Sequence, residues 1–154
     1  MIDKFEGKYR FLSNFYPCQI EHNGIIYNSV ETYYIAMKVT DMQFINGVYY
    51  TAADFRKLVS KMNPSEAKKL GRRVKLRREW DNKKLDFMNW AVREKFKNEK
   101  LAELLLSTGN EELIEGNWWH DNFYGSCSCS KCGNKGSNNL GKLLMIVRDE
   151  INKI

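Results

Sequence analysis

Asn28-Ser29-Val30-Glu31-Thr32-Tyr33-Tyr34-Ile35-Ala36-Met37-Lys38 decides the fold, because a single carboxylate enters a helix otherwise built mainly of apolar and aromatic side chains. Asn28 or Ser29 can cap this helix by accepting a backbone N–H, and Glu31 stands at the capping-box distance from Asn28. Structure alone can account for the glutamate. On a helix, however, Glu31, Tyr34, Ile35 and Lys38 share one face, so the same spacing can turn an acid, a phenol and an ammonium toward a polar pocket. Spacing by itself favours the cap, since capping boxes far outnumber active-site acids.

Upstream, residues 1–27 lack helical periodicity and carry two turn signals, Tyr16-Pro17 and His22-Asn23-Gly24. Ile20 and Ile25-Ile26-Tyr27 predict a hairpin across Asn23-Gly24. Phe11-Leu12-Ser13-Asn14-Phe15-Tyr16-Pro17 sets small polar groups among large apolar ones, as in a ligand-facing loop or a locally hydrogen-bonded turn. Downstream, residues 41–50 read as irregular, with Asn46-Gly47 at a loop tip, and helix resumes near Thr51. Asn63-Pro64-Ser65-Glu66 starts a short helix that ends at Gly71. From Trp80 or Asp81 onward, Leu85, Met88, Val92 and Phe96 predict an amphipathic helix with a buried stripe. Leu101–Ser107 reads as helix closing at Gly109, and Leu113-Ile114-Glu115 as a short extended piece. A long loop rich in Trp, Cys, Ser and Gly then runs to Ser137, before a final helix that packs through Leu140, Leu143, Leu144, Val147 and Ile151. The expected architecture is mainly α with a small β component near the N-terminus, in one domain over 1–154.

A chain of 154 residues with 43% apolar and 13% aromatic content can bury a core without disulfide staples. No apolar run has membrane-spanning length and the N-terminus lacks a signal-like segment, so a cytoplasmic protein with no membrane partner is expected. The net charge of +6 is unevenly placed, with Lys68, Lys69, Arg72, Arg73, Lys75, Arg77 and Arg78 in one tract. Such a tract is either an anion-binding surface or a solvated helix face.

Cys127, Cys129 and Cys132 invite a zinc reading, for which His120 or Cys18 would have to supply the fourth ligand. Neither stands at an established spacing, so the expectation is no metal and no cofactor, with reduced thiols in a loop. Walker, GxGxxG, HExxH and GxSxG motifs are missing, and two histidines without partner spacing exclude the common nucleophilic triads. What remains is a set of acids beside aromatics and cations: Glu31 with Tyr34, Asp121 with Trp119 and Phe123, and Trp80 after the basic tract. That set suits cleavage of a ribosyl C–N bond, in which a carboxylate meets oxocarbenium charge, aromatics stack on a base and arginines hold phosphate.

Seven blocks, Phe11–Pro17, Ser29–Lys38, Gly71–Asp81, Met88–Phe96, Thr108-Gly109, Asp121–Gly125 and Asn138–Arg148, make the sequence resemble the NADAR (YbiA-like) family. The resemblance implies a compact, mainly helical domain that hydrolyses N-glycosidic bonds without metal or redox cofactor. Its substrates would be phosphorylated ribosylamino-pyrimidine intermediates of riboflavin synthesis, or ADP-ribose attached to guanine, with nucleic acid as a possible carrier. Carried over by motif, the catalytic residues are Glu31, Trp80 and Asp121. Ser13, Asn14 and Phe15 would line the ribose or base side, Lys38, Arg72 and Arg77 would meet phosphate, and Tyr34, Tyr124 and Gly125 would complete the binding surface. Tyr124 stands where many relatives have Trp, and the cysteine-bearing insert before Asn138 is absent from the shorter relatives. With Trp80 and Asp121 in matching blocks, Glu31 is expected to be catalytic, its helix-entry position holding the carboxylate still. The alternative is a non-catalytic module that binds ADP-ribose, NAD or nucleic acid.

Overall fold

Ser29 starts helix α1 (Val30–Met37): its backbone is extended and its hydroxyl accepts the Thr32 N–H at 3.1 Å. Every residue of α1 is buried, so this helix is covered on all sides and becomes the centre about which its neighbours assemble. The computed structural model describes residues 1–154, which divide into two compact units, Asn14–Lys95 and Met1–Ser13 with Phe96–Ile154. The second unit takes both ends of the chain, which is why no linker shows in the sequence.

In the unit Asn14–Lys95, strands β1 (Ile20–His22) and β2 (Ile25–Tyr27) pair antiparallel with Ile20 opposite Tyr27. Asn23 and Gly24 carry φ of 51° and 80°, the left-handed pair that a tight hairpin turn requires. Strands β3 (Gln43–Ile45) and β4 (Val48–Tyr50) form a second hairpin across Asn46-Gly47. This corrects the irregular segment expected over 41–50. Phe44 and Tyr49 are exposed and pair with each other across the strands, ring centroids 4.5 Å apart, so the apolar-in, polar-out alternation that marks a strand is missing. Three helices follow, α2 (Ala52–Ser60), α3 (Pro64–Gly71) and α4 (Trp80–Lys95), and all of them pack on α1. Asn63 caps α3 through the Ser65 N–H, with Pro64 at the first helical position. The buried stripe of α4 contains Trp80, Met88, Ala91, Val92 and Lys95, while Leu85, expected inside, is exposed at its edge.

In the other unit, Ile2 forms a parallel bridge with Leu113, donating to the Glu112 carbonyl and accepting from Ile114 N–H, both at 2.8 Å. A 3-10 helix over Gly7–Leu12, unforeseen from the sequence, buries Phe11 and Leu12. Helices α5 (Glu99–Leu106) and α6 (Asn139–Asn152) pack together. Between them, β5 (Gly116–Asn117) and β6 (Ser126–Cys127) pair parallel, placing ordered backbone inside the stretch expected to be one long loop. Leu140, Leu143, Leu144 and Val147 of α6 are buried, and Ile151 is half-buried. No helix is long and apolar enough to cross a membrane.

Candidate active site

Because Ser29 is the cap, Glu31 occupies the second helical position and Thr32 the third, so the capping box expected between Asn28 and Glu31 is not formed. Asn28 instead accepts the Thr32 hydroxyl at 3.2 Å and donates to the Met62 carbonyl. The capping hydroxyl is that of Ser29. The Glu31 backbone N–H donates to the Asn14 carbonyl at 3.1 Å, which ties Asn14 to the start of α1. Asn14 is itself buried and anchored by its amide on Met88 Sδ at 3.4 Å.

The Glu31 side chain is 9% exposed and shares its helix face with Tyr34 and Lys38. The Tyr34 ring lies 5.1 Å from that of Trp80, and the Lys38 ammonium stands 6.0 Å from the Tyr34 centroid. Burial pushes the Lys38 ammonium below the usual lysine range, the Glu31 carboxylate opposes that shift, and Arg72, Lys84 and Lys68 reinforce it. A carboxylate and four cationic side chains are therefore in electrostatic contact. Lys38 also donates to the Gly71 carbonyl at 3.3 Å, at the end of α3.

Trp80 is buried and its ring stacks on Phe87, centroids 5.9 Å apart at 17°. The aromatic surface is thus a Tyr34–Trp80–Phe87 cluster rather than one free indole. Lys84 and Phe87 escaped the sequence reading, yet they follow Trp80 at i+4 and i+7 on α4, a helical face that the spacing could have disclosed. Arg77, expected at phosphate, donates through Nε to the Met37 carbonyl and sets its guanidinium 4.7 Å from the Phe87 centroid. Arg72 is exposed at the end of α3. Phe15 is half-exposed, with the Lys68 ammonium 5.8 Å from its ring centroid.

Asp121, Tyr124 and Gly125 belong to the other unit, as does Ser13 at its border. The Asp121 carboxylate accepts the Phe123 and Tyr124 N–H groups at 3.2 and 3.1 Å through Oδ1, and its own backbone is gripped at both N–H and C=O by the Asn117 amide. The carboxylate is held rigidly at the turn that leads to Gly125. A Cβ on Gly125 would lie 2.3 Å from the Glu115 carbonyl oxygen, so only glycine permits this crossing beside β5 and β6. Tyr124 packs edge-on against Phe123 at 4.7 Å.

Residues 2–152 match the family description NADAR domain. The chain belongs to the NADAR family. It is 38% identical over 149 residues to an N-glycosidase of Nostoc punctiforme, covering 95% of this chain and 88% of that one. It is 31% identical to the N-glycosidase YbiA of Escherichia coli, covering 93% and 82% of the two chains. A riboflavin biosynthesis protein of Vibrio vulnificus is 35% identical over 144 residues, and this NADAR chain spans only 35% of its length. The solution structure of Escherichia coli YbiA superposes with a TM-score of 0.76 at 28% identity, covering 99% of this chain and 88% of that one. Mainly helical architecture with small two-stranded sheets is thus shared with a solved family member.

Proposed function

We propose that this NADAR-family hydrolase acts on an N-glycosyl bond joining the C1′ of a phosphorylated ribose to a nucleobase or aminopyrimidine nitrogen. The observation that carries the reading is the buried Glu31 carboxylate, on the same side of α1 as Tyr34 and Lys38. A cation beside it suits a carboxylate that works as an anion. As the C1′–N bond lengthens, positive charge builds on C1′ and the ring oxygen, and a fixed negative group stabilises that charge without reorganising. The bonding pair leaves with the nitrogen, water adds to C1′, and the proton that the water loses is balanced by the one the departing base takes up. Tyr34, Trp80 and Phe87 offer the apolar wall against which a planar leaving group stacks. Lys38, Lys68, Arg72 and Lys84 supply the charge for phosphate. On its motif Asp121 is assigned the second carboxylate, and Ser13, Asn14 and Phe15 are assigned the ribose or base side.

The sequence resemblance implies two substrate types to test, a phosphorylated ribosylamino-pyrimidine and ADP-ribose on guanine. Glu31→Gln keeps the shape and removes the charge, so turnover of the cleaved substrate should fall about a hundredfold to a thousandfold with binding retained, as when a transition-state electrostatic group is removed. Product release followed by chromatography checks this, with far-ultraviolet circular dichroism to confirm folding. Wild-type turnover by the Gln variant would refute the assignment. A wild-type protein that returns both substrates intact would instead mark a binding module.

A further inference from the structure

The segment that carries Asp121 also carries four metal-ligating side chains that the glycosidase chemistry leaves unused. His120 Nδ1 lies 3.4 Å from Cys132 Sγ, 3.5 Å from Cys129 Sγ and 3.8 Å from Cys127 Sγ. All four ligand atoms fall within 4.8 Å of one another. A zinc ion bound to nitrogen at about 2.0 Å and to sulfur at about 2.3 Å sets the N–S edges of its tetrahedron at about 3.5 Å. The separations found here bracket that edge. We propose that His120, Cys127, Cys129 and Cys132 bind one zinc ion in a closed tetrahedral site that clips the Asp121–Gly125 segment.

The surroundings are built as such a site needs. Cys127 is fully buried and fixed by the β5–β6 pairing, with its N–H donating to Asn122 Oδ1 at 2.9 Å. The Cys132 N–H donates to Cys129 Sγ at 3.4 Å, and Asn122 Nδ2 donates to Cys132 Sγ at 3.2 Å, so two sulfurs already receive N–H donors of the kind that support ligating thiolates. Gly133 and Asn134, both at positive φ, fold the chain back so that their N–H groups reach the Cys129 and Cys127 carbonyls at 2.9 Å. His120 itself adopts φ 70°, in the left-handed region. No cysteine is in a disulfide. Four protein ligands fill the coordination sphere, which makes the ion structural rather than a Lewis acid for the reaction. Loading releases the thiol protons to solvent, and the imidazole binds through Nδ1 with its remaining proton on Nε2.

His120 adjoins Asp121, and Cys127 follows Gly125 by two residues, so the ion would hold both ends of the turn bearing the second carboxylate. That consequence rests on the proposed glycosidase reading; the metal site does not. The test is elemental analysis of protein expressed with added zinc and purified without chelator. Wild type and Cys18→Ser should each carry one zinc per chain, and Cys129→Ser and the triple Cys127→Ser, Cys129→Ser, Cys132→Ser variant should carry at least about tenfold less. Cobalt(II) added to the apoprotein should saturate at one equivalent, with thiolate charge-transfer absorption and the strong visible bands of a tetrahedral ion, and His120→Ala should shift those bands. Wild type with no stoichiometric zinc, or with iron in its place, overturns the proposal, as does a triple variant that keeps wild-type zinc. Because wild type alone can fail the test, misfolding of a variant does not shield the idea. An inactive wild type holding one zinc would sink the glycosidase reading and leave the metal site standing, and an active, zinc-free wild type would do the reverse.

Discussion

Lys95, at the end of α4, is 2% exposed, with its ammonium 5.7 Å from the centroid of the Tyr16 ring. Burial pulls its pKa down from 10.5 to about 8, and the nearby Cys18 thiol opposes the shift. Between those two values the unfolded chain binds more protons at this site than the folded chain does, so stability rises with pH across the window. Below it the ammonium is charged in both states and the cost of burying it is fully present. Burial raises the Cys18 thiol, whose later loss of a proton in the folded state works in the opposite sense, so the comparison belongs in a Cys18→Ala background. There, the unfolding free energy should rise relative to that of Lys95→Met by up to about 1.4 kcal/mol per pH unit between the two pKa values. Urea titrations at stepped pH that show a constant difference would contradict this. At the same scale, the place of Glu31 among buried aromatics was readable in the sequence, whereas the identity of the capping residue was not. Asn28 and Ser29 are equally good caps in sequence, and only the Thr32 contacts select between them.

Helix α6 begins where Asn138, at φ 51°, turns its amide back to accept the Glu115 N–H and donate to the Leu113 carbonyl, both at 2.9 Å. Gly141, in the first turn, lets the helix lie against that same carbonyl: a Cβ there would stand 2.1 Å from Leu113 O and 2.4 Å from the Asn138 amide. Alanine is the better helix former by about 1 kcal/mol, yet a backbone carbonyl pinned by Asn138 and the Ile2 bridge has nowhere to go. Overpacking should win, and Gly141→Ala is expected to destabilise the protein by about 1 to 3 kcal/mol in chemical denaturation; a more stable variant would show that the contact yields. Elements of this kind divide by how local their signals are. Helix α3 was legible because Asn63, Pro64 and Gly71 mark both ends, and the α6 core positions because they recur at helical spacing. The β3–β4 hairpin was hidden by its exposed Phe44 and Tyr49, although Asn46-Gly47 announced the turn. The His120–Cys132 cluster was visible as composition, but the pairing of β5 with β6 that gathers its ligands is not a property of spacing.

The +6 charge of the whole chain attracts anions of any size, and the use made of each cation decides which kind fits. A strand of nucleic acid needs a stripe of free cations along its backbone. The tract from Lys68 to Arg78 does not offer one, because Arg73 is tied to Asn46, Lys75 to Asp41 and Arg77 to the Met37 carbonyl. Lys68, Arg72 and Lys84, the last also paired with Asp81 at 3.2 Å, act electrostatically on Lys38, which shares the Glu31 helix face. That pattern matches the few phosphates of a nucleotide better than the many of a polymer. The logarithm of kcat/KM for a nucleotide-sized riboside should therefore fall with the logarithm of salt concentration at a shallow slope, which Arg72→Ala reduces by about 1. Placing the same ribosylated base in an oligonucleotide should leave the slope within about 1 of the small-substrate value, since few additional phosphates find partners. Initial rates across a salt series on both substrates measure this directly. A slope several-fold steeper for the strand-borne base would mean that the exposed cations work together along a polymer, and would move the preferred substrate from free nucleotides to nucleic acid.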